Sequence, residues 1–206
     1  MIRLRVALLW AAAAPAVCWL SLAAAALGEE WSGNPFAAPR EPLAVLAADR
    51  PERVAETLAG FASRIRPLSR SVSVRHRIAD ATFCLPQNAL GILLYALLEL
   101  TGSVVSTAEG GGVRLIATSL PIGISLGTYV FVGETLLSER VIAHELGHTA
   151  QSYRRGPFYL AAEGVTSFVQ ATLSLFSPAF ARGYFDRWPE DEADALGVTF
   201  LLPLSP

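Results

Sequence analysis

The stretch Val141-Ile142-Ala143-His144-Glu145-Leu146-Gly147-His148-Thr149-Ala150 decides how this 206-residue chain is read. Residues four apart on a helix share a face, so His144 and His148 can present both imidazoles to one metal ion. Glu145 stands beside the first of them, near the fourth coordination position. Such a site leaves a zinc ion with an open position whose water is acidified, and a neighbouring glutamate accepts the proton. The expected chemistry is hydrolysis. The flanks agree with a helix. Ser138 suits an N-cap with Glu139 in the first turn, and Arg154 and Arg155 complement the C-terminal dipole before Gly156-Pro157 stops the run.

A third protein ligand is required. A metzincin would carry glycine at 151 and histidine at 154; Gln151 and Arg154 stand there, which excludes that class. Downstream, Trp188-Pro189-Glu190-Asp191-Glu192-Ala193-Asp194-Ala195-Leu196-Gly197 reads as a helix with proline at its first position. Glu190 and Asp194 share a face of it, whereas Glu192 lies about 200° round the axis from Glu190. Glu190 is therefore the expected metal ligand. Asp194 is the expected acceptor from the second ring nitrogen of a ligand histidine. Glu163 is the rival ligand, because it is the only charge between Gly156 and Ala181. Pro157, Gly164 and Pro178 argue against a clean membrane span there, leaving an interfacial or re-entrant helix pair or the apolar wall of a cleft.

The rest of the chain supplies context. It is 52% hydrophobic and 17% charged, with a mean hydropathy of +0.42, so part of its apolar surface is expected to meet lipid. A net charge of -2 gives no basic field for nucleic acid. Two cysteines, Cys18 and Cys84, make neither a disulfide framework nor a four-cysteine zinc site. Arg3 and Arg5 precede an uncharged run from Val6 to Gly28, followed by Glu29 and Glu30, which is the order of a signal peptide or membrane anchor. The expected organisation is a signal or anchor over 1–28, a linker over 29–42 and one domain over 43–206. The domain would lie outside the cytoplasm.

Within that domain, Asp49 and Pro51 open an amphipathic helix with Val54, Leu58, Phe61 and Ile65 on one face, ended by Pro67. Ser71 to Ile78 alternates as a half-buried strand, and Asn88 to Leu100 reads as an apolar helix closed by Gly102. Ser103 to Ala117 reads as a hairpin around Glu109-Gly110-Gly111-Gly112, and Gly123 to Val132 as one further strand. That last strand, beside the motif helix, would offer an edge on which an extended peptide could pair.

His144-Glu145-x-x-His148 followed by Glu190-x-x-Ala193-Asp194 resembles the gluzincin pattern, most closely that of membrane CAAX-prenyl and heat-shock endopeptidases. The chain is also similar to small uncharacterised bacterial proteins carrying HELGH, Gln151-Ser152, Gly156-Pro157-x-Tyr159-Leu160 and a terminal E-x-x-A-D-x-L-G. The resemblance covers Ile124 to Gly197. It implies a zinc-dependent endopeptidase with His144, His148 and Glu190 as ligands to one Zn2+, Glu145 as general base and Asp194 as the residue that orients a ligand. Gluzincins also use a Tyr, His or Arg to stabilise the oxyanion; Tyr159, Tyr184 and His76 are available. The chain lacks the multiple spans of the large membrane endopeptidases, so their substrates do not carry over. The fold expectation is an α+β minimal zincin domain with a small, mostly antiparallel sheet beside the HExxH helix, preceded by an N-terminal apolar helix. Its setting is the bacterial cell envelope, at or across the membrane, and its substrate a peptide or protein. The alternative is a non-catalytic membrane-associated zinc-binding or scaffold protein, told apart by whether three protein ligands or four close the site.

Overall fold

The computed structural model describes residues 51–67 and 82–202. The expected signal or anchor, the linker, the Asp49 cap and the Ser71 to Ile78 strand with His76 lie outside them. In chain order the described residues form α1 (Pro51–Arg64), α2 (Leu85–Leu100), β1 (Val104–Gly110), β2 (Val113–Thr118), β3 (Gly123–Leu126) and β4 (Tyr129–Gly133). Then come α3 (Glu139–Arg155), a π-helical turn over Leu160–Gly164, α4 (Val165–Phe176), α5 (Pro178–Ala181) and α6 (Glu190–Gly197). The fold is α+β.

The sheet has the order β1-β2-β4-β3 and is mixed: β1/β2 and β3/β4 are antiparallel, and β2/β4 is parallel. Strand alternation divides two cores between its faces. Leu115 and Ala117 of β2 and Val130 and Val132 of β4 pack on one side against Val54, Leu58 and Ala62 of α1 and Ile142 and Leu146 of α3. Ile116 and Phe131 point the other way, to Leu98 of α2 and Ile122. The central strands are apolar on both faces because helices cover both.

The single strand expected from Gly123 to Val132 is two. Gly127 adopts φ +64°, which breaks the extended run into a tight hairpin, and Thr128 N donates to Asn88 Oδ1 at 2.9 Å to hold the turn. The correction moves the edge. The strand ending near Val132 is interior, between β2 and β3, and among the described residues the edge beside α3 is β3.

The α3 helix runs through the interior, with every residue from Val141 to Ser152 buried. Its N-terminus is capped by Ser138, whose side chain accepts from Val141 N at 3.3 Å, and it ends at Gly156 with φ +60°. It makes its closest approach to α6. A Cβ on Gly147 would lie 1.9 Å from the Ala193 carbonyl oxygen, and one on Gly197 would lie 1.8 Å from that of Ala143. Two glycines therefore let the helix backbones touch. The stretch from Gly156 to Ala181 forms a wall of the cleft over α3, through Leu160, Gly164, Val165, Phe168 and Ala171. Among the described residues no helix is long and apolar enough to cross a membrane.

The glycine contacts give a paired expectation. Gly147→Ala should destabilise by about 1–3 kcal/mol through overpacking against backbone. Gly60→Ala, in α1 with nothing within 4 Å of the added carbon, should stabilise by about 0.5–1 kcal/mol through helix propensity. Urea unfolding of both variants checks this; equal stabilisation by both would contradict the close approach.

Candidate metal centre

Three buried side chains converge where α3 and α6 cross. His144 and His148, one helical turn apart, come from α3, and Glu190 comes from the first residue of α6. His144 Nε2 and His148 Nε2 are 3.2 Å apart. Glu190 Oε2 lies 3.1 Å from the first and 3.3 Å from the second. A tetrahedral ion with bonds of about 2.0–2.1 Å sets its ligand atoms about 3.3–3.4 Å apart, so this triangle has the size of one face of such a sphere. The group could hold a metal ion.

The outer ring nitrogens are committed elsewhere. His144 Nδ1 donates to Asp194 Oδ1 at 2.7 Å, and His148 Nδ1 donates to Gln151 Oε1 at 2.8 Å. Gln151 is itself held by its amide, which donates to the Pro189 carbonyl at 2.8 Å and to Glu192 Oε2 at 3.2 Å. Its oxygen must therefore face the histidine. Both imidazoles turn Nε2 toward Glu190, and Glu190 Oε1 is a buried carboxylate oxygen with no hydrogen bond. Converging acceptors in a buried site need a cation to offset their repulsion.

In the metal-free protein a proton serves that purpose. Burial opposes a charged His144, but the hydrogen bonds to Asp194 and Glu190 outweigh it and push its pKa up to about 10. Burial likewise works against the Glu190 carboxylate, yet the two histidines beside it hold its pKa well below the usual carboxylate range. Glu145 differs. Burial dominates and raises its pKa, although His144 and His148 act in the opposite direction. Its Oε2 has no hydrogen bond, and a Cβ on Gly123 would come within 2.7 Å of its Oε1. The Glu145 carboxylate is thus wedged between the two histidines and the start of β3.

A cavity of about 420 Å³ opens over this group. Its lining includes His144, Glu145, His148, Glu190, the β3 edge, Tyr159 and Tyr184. Burial and then the nearby carboxylates raise the pKa of both tyrosines, so each keeps its hydroxyl proton at neutral pH. Of the residues read from the sequence, His144, His148, Glu190, Asp194 and Glu145 are brought together. Glu163 is not among the converging ligands. Its buried carboxylate accepts from Arg155 Nε, which ties the π-helical turn to the end of α3.

Gln151, Gly123 and Phe185, whose ring stands edge-on to His144 at 5.4 Å, escaped the sequence reading. Only Gln151 carried a signal, its position three residues beyond His148 on the same helix. No protein-family model matches the chain, and neither a curated protein nor a solved structure does.

The raised His144 pKa fixes a sign. At pH 7.5 metal-free His144 is protonated, so Zn2+ uptake must displace that proton. Uptake should release about one proton, and apparent affinity should rise about tenfold per pH unit between pH 7 and 9. Calorimetry in buffers of different ionisation enthalpy measures this. A pH-independent affinity with no proton released would contradict the site.

Proposed function

We propose that this chain is a zinc-dependent endopeptidase of the gluzincin kind, built on a minimal zincin domain and acting at the bacterial cell envelope. The observation that carries the reading is the His144–His148–Glu190 triangle, which leaves its open side to a cavity that also holds the Glu145 carboxylate. The donor set favours zinc, since two imidazoles and one carboxylate suit a borderline ion at an open catalytic site. Zinc held there would act as a Lewis acid on water and on a carbonyl oxygen.

The chain's own residues do the rest. Asp194 and Gln151 fix the ring orientation of the two histidines by taking their Nδ1 protons. Glu145 removes a proton from the attacking water and returns it to the leaving amine nitrogen. Tyr159 and Tyr184 line the same cavity and are the candidate donors to the developing oxyanion, the Tyr184 hydroxyl also lying 3.4 Å from Ser167 Oγ. β3, the edge strand beside α3 among the described residues and not the strand first expected, gives an extended peptide a backbone to pair with. The envelope setting rests on the positive, apolar, acidic order of residues 1–30.

Glu145→Gln tests the mechanism. The variant should keep its zinc and lose peptide hydrolysis by at least about a hundredfold, the low end for general acid–base catalysis. Turnover retained in the zinc-loaded variant would end it.

A further inference from the structure

Helix α2 carries its apolar side outward. Its buried residues are Gln87, Gly91 and Leu98, and Leu98 packs with Ile116, Ile122 and Phe131 on the sheet face opposite α3. Gln87 Nε2 donates to the Gly156 carbonyl, and a Cβ on Gly91 would lie 2.8 Å from the Tyr129 ring, so the rotation of the helix is fixed. Leu85, Leu90, Ile92, Leu93 and Leu100 are left 43–82% exposed. They present roughly 500 Å² of apolar surface, as much as the largest patch of a typical monomer. Two such faces in contact would bury roughly 1,000 Å², the area at which a specific interface begins.

We propose that this face of α2 is the seam of a symmetric dimer, in which α2 of a second copy of this chain packs antiparallel on it. The pattern along the exposed stripe is self-complementary. Leu85, Ala89, Ile92 and Ala96 follow one another at spacings of four, three and four, all exposed and alternating large with small. A two-fold axis between Leu90 and Gly91 sets Leu85 against Ala96 and Ala89 against Ile92 of the second copy, so every large side chain meets an alanine. The alanines let the helices approach closely, and Leu93 and Leu100 flank the seam.

Charge selects both the direction and the occupant. Glu99 is the only charged residue of α2 and is exposed. Antiparallel pairing places it beside the N-terminal turn of the other α2, where the helix dipole favours a carboxylate and no acidic residue stands. Parallel pairing would set the two Glu99 side chains together. A helix lying on lipid carries Lys or Arg along its flanks, and α2 has neither. Because α2 and α3 cover opposite faces of the sheet, the dimer leaves the cavity over His144 and His148 open.

Sedimentation equilibrium of the full-length protein in a density-matched neutral detergent tests the seam. Wild type should form a dimer with a dissociation constant at or below about 10 μM. Ile92→Glu should weaken it at least about a hundredfold, with helical content and urea midpoint close to wild type because the side chain is exposed. Ala89→Ile, which sets isoleucine against isoleucine, should weaken it at least about tenfold. Adding Ile92→Ala to that variant restores a large residue opposite a small one and should bring the affinity back to within about threefold of wild type. A wild type that is monomeric at about 100 μM, an assembly larger than a dimer, or a dimer indifferent to Ile92→Glu would overturn the proposal. So would an Ala89→Ile protein that associates as tightly as wild type, since a face that merely seeks apolar surroundings, lipid included, gains from the added carbons.

Discussion

The contact between α3 and α6 sets every distance at the candidate site. Glu190 lies more than forty residues from the histidines in sequence, and it reaches them because Gly147 and Gly197 allow two helix backbones to meet over Ala193 and Ala143. Any side chain at either glycine would hold the helices apart and withdraw the carboxylate from the imidazoles. The same crossing brings Asp194, one turn further along α6, against His144 Nδ1. Packing of small residues thus controls the geometry of the polar ones.

Burial makes that geometry consequential. His144, Glu145, His148, Gln151 and Glu190 are all buried, and ionisable groups so placed are costly unless each is matched. The matching here is directional. Asp194 and Gln151 take up the outer ring nitrogens, so the inner ones and Glu190 are left converging on one point. Gln151 further connects His148 to Glu192, and Arg155 connects Glu192 to Glu163 on the π-helical turn. One chain of polar contacts therefore joins a candidate ligand to the wall of the cleft.

Much of this was legible in the sequence, because it depends on local periodicity and capping. Ser138, Gly156 and the four-residue spacings of His144/His148 and Glu190/Asp194 specify two helices and their facing sides. The α1 face and the Gly110-Gly111-Gly112 hairpin follow from similar local signals. What was not legible is non-local. The parallel pairing of β2 with β4 has no sequence signature, and Gly127 inside an apolar run hid the turn that makes β3 the edge. The sheet is mixed for that reason. Gln151 lay at a visible spacing, but its role depends on Pro189 and Glu192, which orient its amide from another helix. Gly123 matters only because the fold sets it against Glu145.

The account's central claim, a single metal centre at His144, His148 and Glu190, is tested most directly by elemental analysis of purified protein beside His148→Ala. About one zinc per chain in the wild type, reduced to a small fraction in the variant, is the expected result. No zinc in either protein after attempted reloading, or equal zinc in both, would contradict it.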